Sequence, residues 1–173
     1  MEKHLTVIAT LSQNGVYAEG DEVPWNLVDD HIHCQELIQG HTVIMGHRTW
    51  ELLPKKYRPL ISGHTIVITR APYYFSEGAE VSCSLRQAIE RTKDTKIFFL
   101  GGSRIWAGAM AFADDAWVTV IKQDYPITYG VTKTLCDLVT PHYLWNGFYL
   151  KEVKKPVIRG EADPYYEIYH WVR

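Results

Sequence analysis

Ile97-Phe98-Phe99-Leu100-Gly101-Gly102-Ser103-Arg104-Ile105-Trp106 reads as a strand, a tight turn and the start of a helix. Consecutive apolar residues with no polar alternation suit a strand buried on both faces. The paired glycines then turn the chain into a helix running from about Ser103 to Ala111. The same alternation continues outward. Downstream, Trp117–Ile121 is the next strand; upstream, Ser84 and Gln87 stand at capping-box spacing and open a helix from Leu85 to Arg91. Thr65–Thr69 and Thr42–Met45 are strands, with a short helix from Arg48 to Leu53 between them. Leu5–Leu11 is a further buried strand, followed by a Gly-rich, acidic loop from Ser12 to Val23. After Pro24-Trp25, Asn26 can cap a helix reaching about Gln39, where Gly40 supplies a left-handed stop. Strands without a polar face, alternating with helices, predict an α/β fold with a mostly parallel sheet. The tail breaks the pattern. Phe148–Val153 and Tyr166–Val172 read as two strands joined without a helix, which predicts an antiparallel hairpin at one edge.

Length and composition bound what such a sheet can do. With 173 residues, 46% hydrophobic and 22% charged, the chain is expected to form a single domain over residues 1–173. The formal net charge of −2 supplies no overall field toward nucleic acid or an anionic membrane, so any phosphate site must be local. The apolar runs are too short to span a membrane, and Met1-Glu2-Lys3-His4 leads into a strand with no leader pattern, so a cytoplasmic protein is expected. Cys34, Cys83 and Cys136 are widely spaced, without a CxxC pair, and are expected as reduced thiols.

In open α/β sheets ligands lie beyond the carboxyl ends of the strands, which singles out three places. Gly46-His47-Arg48-Thr49 joins a strand end to a helix start and outlines a phosphate cradle; the plain alternative is a solvated turn. Gly101-Gly102-Ser103-Arg104 repeats the arrangement, though without a full GxGxxG pattern. Thr69-Arg70 sets a hydroxyl and a cation at a third strand end. A fourth feature is Asp30. If the helix starts near Leu27, Asp30 and Cys34 share a face with Leu37, so a carboxylate lies on the stripe that should be apolar. It needs a partner, either a ligand with paired N–H donors or, more simply, the helix dipole that Asp29 also meets. A metal held by Asp30, His31, His33 and Cys34 is not expected, because His31 and His33 point to different helix faces. The aromatic residues are scattered through strands with no basic stripe, which favours core packing over base stacking.

Taken together, Val7-Ile8-Ala9, Val23-Pro24-Trp25-Asn26-Leu27 followed by Asp30, Val43-Ile44-Met45-Gly46 with Thr49-Trp50, Arg58-Pro59-Leu60, Gly101-Gly102-Ser103-Arg104-Ile105 and Thr119 resemble dihydrofolate reductase in order and spacing. The resemblance implies a mostly parallel twisted sheet with helices on both faces and a C-terminal antiparallel hairpin. It implies NADPH-dependent reduction of 7,8-dihydrofolate to tetrahydrofolate, in one-carbon metabolism, by a monomer whose only partners are small molecules. Asp30 would grip the pterin 2-amino group and N3 edge, with Thr119 and a water near Trp25 completing the network. Ile8, Ala9, His31, Cys34, Leu60, His64 and Leu100 would face the substrate. Ala9, Thr10, Tyr17, Gly46, His47, Arg48, Thr49, Thr69, Arg70 and the stretch Gly101-Gly102-Ser103-Arg104-Ile105-Trp106 would hold the cofactor, with a cis peptide joining the two glycines. Arg70 would favour NADPH, whose 2′-phosphate needs a cation.

Departures from the pattern matter too. Where an arginine of the family clamps the folate glutamate, an ungapped reading from Arg58-Pro59-Leu60 reaches Gly63, with His64 adjacent. His31 and Cys34 stand where apolar residues usually pack on the substrate, Trp106 replaces a tyrosine, and Val131 replaces an acidic residue. These changes keep two other readings open: a reductase of another pterin or of a flavin-pathway pyrimidine, and a non-catalytic dinucleotide-binding homologue.

Overall fold

A computed structural model of the protein describes residues 2–54, 58, 63–135, 146–156 and 164–173. Pro59, Leu60 and Cys136, which figure in the sequence reading, lie outside the described residues. In chain order the elements are β1 (His4–Ser12), β2 (Val16–Glu19), α1 (Val28–Ile38), β3 (Thr42–Gly46), α2 (His47–Leu52), β4 (His64–Ile68) and β5 (Glu80–Ser82). They continue with α3 (Leu85–Arg91), β6 (Lys96–Phe99), α4 (Ser103–Met110), β7 (Asp115–Ile121), β8 (Thr132–Thr134), β9 (Tyr149–Lys154) and β10 (Tyr166–Val172). The main sheet has the strand order β5-β4-β3-β6-β1-β7-β10-β9. The fold is mixed α/β, mostly parallel, with an antiparallel hairpin at its C-terminal edge.

The chain divides into two compact units. One comprises residues 1–8 and 33–114, the other 9–32 and 115–173. In the first, β5, β4, β3, β6 and the start of β1 pair in parallel. Val43, Ile44, Met45, Ile66, Val67, Ile97 and Phe99 are wholly buried, as strands covered on both faces must be. Ser84 caps α3 as its spacing predicts, its hydroxyl accepting the Gln87 N–H at 3.2 Å. At the other end of that helix the Lys3 ammonium donates to the carbonyls of Ile89 and Thr92, satisfying last-turn acceptors and meeting the negative end of the dipole. Gly63 packs against the turn after α1: its N–H donates to the His41 carbonyl at 3.0 Å, and a Cβ built on it would lie 2.6 Å from the Gly40 carbonyl oxygen.

In the second unit β10 pairs antiparallel with β7 on one side and β9 on the other. β10 alternates buried and half-buried residues, whereas every residue of β9 is exposed and its lysines and glutamate guard an edge. β2 and β8 form a separate two-stranded antiparallel sheet, with a register shift between Val16 and Ala18. The sequence reading treats both segments as loop; they carry too few residues for a period to emerge. Helix α1 also begins later than Asn26 capping requires, since the His31 N–H donates to the Leu27 carbonyl and the helix opens at Val28. Gly40, with φ +74°, takes the left-handed conformation expected of it.

Candidate functional site

Asp30 stands in the first turn of α1, in the second unit. Leu27, Ile121, Tyr166 and Ile168 form a buried cluster against which Trp25, Trp117 and Tyr125 pack, and Trp25 meets Tyr125 edge-on at 5.1 Å. That packing fixes the Pro24-Trp25-Asn26 entry and with it the direction in which the first turn presents its acid. Both carboxylate oxygens are engaged. Thr119, buried in the middle of β7, donates its hydroxyl to Oδ1 at 2.5 Å, and Thr10 on β1 donates to Oδ2 at 2.8 Å. Burial pushes the Asp30 carboxyl above the ordinary aspartate value; the two hydroxyls and the nearby His31 oppose that rise without cancelling it. The partner that sequence spacing could not find is therefore a pair of hydroxyls from distant strands. Beside it, His31 is exposed and Cys34 half-buried, and Tyr17 lies half-buried on β2.

The first unit carries the glycine-rich turns. Gly101 and Gly102 are joined by a cis peptide bond, as expected, and Gly101 has φ +105°. The Gly101 carbonyl accepts the Gly46 N–H at 2.8 Å, which ties the end of β3 to the end of β6. A Cβ on Gly101 would come within 2.7 Å of the Trp106 ring, and one on Gly102 would sit 3.6 Å from the Thr49 hydroxyl. Trp106 is itself anchored, its indole N–H donating to the Ile8 carbonyl at 2.8 Å. The Gly102 carbonyl accepts from the N–H groups of Ile105 and Trp106, so α4 opens at a residue with no side chain and no side-chain cap. Its first-turn donors are what an anion would meet. Ser103 is half-buried and Arg104 exposed; Ile105 is buried, 3.6 Å from where a Cβ of Gly46 would lie. Thr69 is buried, its hydroxyl accepting the Ala71 N–H at 3.1 Å, and Arg70 and Arg48 are exposed. His47 lies 5.7 Å from the Tyr74 ring, and Leu100, half-buried, donates its N–H to the Ile44 carbonyl. Ile8 and Ala9 are buried on β1.

Two of the expected site residues have side-chain partners in other parts of the chain. His64 has a partner within the fold. It opens β4, at the amino end of a parallel strand, and its Nε2 lies 3.1 Å from Glu80 Oε2 on β5. Thr10, grouped with the cofactor contacts, donates its hydroxyl to Asp30 Oδ2. The sequence reading also passes over a cluster after α2: the Arg58 guanidinium lies 5.5 Å from the Trp50 ring, and burial together with Glu51 pushes the Tyr74 hydroxyl upward. Nothing in local spacing marks those residues as neighbours.

A parallel α/β sheet with a buried, hydroxyl-clamped carboxylate and a glycine pair opening an uncapped helix has the ingredients of a dinucleotide-dependent reductase. The comparisons narrow that class. The fold matches the structure described as Dihydrofolate reductase from Enterococcus faecalis complexed with NADP(H) and RAB-propyl, with a TM-score of 0.82, 22% identity, and coverage of 98% of this chain and 96% of that one. A family model described as Dihydrofolate reductase matches residues 4–165. Dihydrofolate reductase of Mycobacterium tuberculosis is 35% identical over 117 residues, 68% of this chain and 71% of that protein. That of Neisseria meningitidis is 34% identical over 118 residues, 68% of this chain and 72% of the relative. The chain belongs to the dihydrofolate reductase family, whose members are oxidoreductases.

Proposed function

We propose that this chain reduces 7,8-dihydrofolate to tetrahydrofolate with NADPH, and that residues 1–173 act as one catalytic domain. The family match supports the second point, since residues 4–165 draw on both compact units. The observation that carries the reading is Asp30, a desolvated carboxylate held on both oxygens. A planar ligand edge with two adjacent N–H donors, the 2-amino group and N3 of a pterin, matches such a carboxylate in bidentate fashion. Thr119 shares the contact and Trp25 shapes the approach. Ile8, Ala9, His31, Cys34 and Leu100 are proposed around the substrate.

The residues of the first unit suit a dinucleotide. Gly101 lets the Trp106 ring pack against the main chain, and beyond Gly102 the uncapped first-turn N–H groups of α4 suit a phosphorylated group. Gly46, His47, Arg48, Thr49, Thr69, Arg70, Ser103, Arg104 and Ile105 would hold the phosphates and ribose, and Ala9, Tyr17 and Trp106 the ring end. Bound there, NADPH supplies the hydride that reaches C6 of the dihydropterin, while N5 takes up a proton. Asp30 orients the ring and favours its protonated form electrostatically; it need not hand over the proton itself. Mixing purified protein with NADPH and dihydrofolate and following absorbance tests the reading. Oxidation that requires dihydrofolate is expected; NADPH binding without oxidation would point instead to a non-catalytic homologue.

Gly63 favours a second reading. An ungapped reading sets Gly63, which has no side chain, where the family clamps a glutamate tail, and the adjacent His64 lies 3.1 Å from Glu80. A dihydropterin lacking that tail is then a substrate of comparable quality. The ratio of kcat/KM for dihydrofolate to that for the tail-less pterin decides, and a ratio near one favours the second.

A further inference from the structure

Thr119 has a place in the proposed pterin network, but Thr10 does not, and its hydroxyl nonetheless donates to the second oxygen of Asp30. Hydroxyl donors stabilise the ionised form of a carboxylate. Once the carboxyl is protonated, the oxygen that carries the hydrogen is a poorer acceptor, and the bond from the hydroxyl facing it weakens. With a donor on each oxygen, protonation at either one weakens a hydroxyl bond, so the pair favours the carboxylate over the neutral acid. Threonine also suits the task, because β-branching restricts χ1 and pre-aims the hydroxyl.

We propose that Thr10 is a positioning residue, which favours the ionised form of Asp30 and fixes its carboxylate plane for a ring edge carrying two adjacent N–H donors. The proposal rests on the reading of Asp30 as the substrate acid and adds a second hydroxyl that defines the state of that acid. Few other charges compete. His31, on the same helix, is the charged group that acts on Asp30 alongside the hydroxyls. The titratable residue of β1 is His4, six residues from Thr10 along the strand, and that of β7 is Asp115, four residues from Thr119 and engaged with His170 at 2.9 Å. The hydroxyls therefore oppose burial with little other help.

The test is a carboxyl carbon NMR titration of Asp30 in the unmodified protein, Thr10→Val and Thr10→Ser, assigned by the signal lost in Asp30→Asn. The titration midpoint is expected to rise by about one pH unit in Thr10→Val and to return in Thr10→Ser. The pH profile of kcat/KM for dihydrofolate should move by the same interval in the same direction. Where Thr10→Val fails to fold, Thr10→Ala takes its place. An unmoved midpoint in the folded hydroxyl-free variant, or a serine that does not restore it, overturns the proposal. The titration needs no ligand, so it judges Thr10 alone, whereas full turnover in Asp30→Asn would overturn the reading of the site.

Discussion

Asp30 is tuned against stability. Its carboxyl is raised in the fold from an ordinary value of 3.8, so the folded protein holds the proton more tightly than the unfolded chain. Between the two values the folded state binds more protons, and stability therefore falls as pH rises. Asp30→Asn removes that penalty. The variant should have a higher urea midpoint than the parent at neutral pH, with the gain disappearing below the ordinary aspartate range. Its turnover should fall by about 10²- to 10⁴-fold while NADPH binding, measured by fluorescence, stays nearly intact. Gly101 yields the opposite pair of effects. Gly101→Ala drives a methyl group to within 2.7 Å of the anchored Trp106 ring, at a φ of +105° that disfavours any side chain. A loss of roughly 1–3 kcal/mol in stability is expected, together with weakened NADPH binding, both readable by thermal melts with and without cofactor. At this scale the sequence reveals which residues are unusual more readily than what they touch. Asp30 stands out because a carboxylate interrupts an apolar stripe. Its hydroxyl partners are 20 and 89 residues away in the chain, a separation no periodicity spans.

Among the elements, the strong local signals and the observed boundaries agree closely. The Ser84–Gln87 box opens α3 at Leu85 because the capping bond is local and complete within one turn. Ser84→Ala should lower stability by about 1 kcal/mol in a denaturant titration. Buried strands such as β3 and β6 are legible because their residues are apolar without alternation. β2, β5 and β8 are not, because strands this short are formed by their neighbours rather than by their own pattern. Acidic and glycine-containing residues around β2 look like loop, and Gly20 with φ +59° does turn the chain there.

For the whole molecule, strand order is the least legible property. Alternation of strands and helices indicates a parallel sheet, but not that β1 lies between β6 and β7, which is a matter of long-range pairing. The C-terminal hairpin supplies much of the acid sensitivity expected of the protein. Glu167 on β10 accepts hydroxyls from Tyr169 and Tyr165 and the Lys122 ammonium, which together hold its carboxyl at about 2 instead of 4.5. Because the folded value is the lower one, this stability is present above pH 4.5 and is lost as pH falls toward 2. Glu167→Gln should lower stability by roughly 1–2 kcal/mol at neutral pH. In urea titrations the gap between variant and parent should close near the folded value.

Gly63 limits which substitutions the turn can bear. Any side chain there would strike the Gly40 carbonyl, so introducing an arginine would disrupt the junction between α1 and β3 before it could reach a ligand. A bulky side chain at this turn is thus barred by backbone geometry, and any new contact from this position would require the turn to be reshaped first.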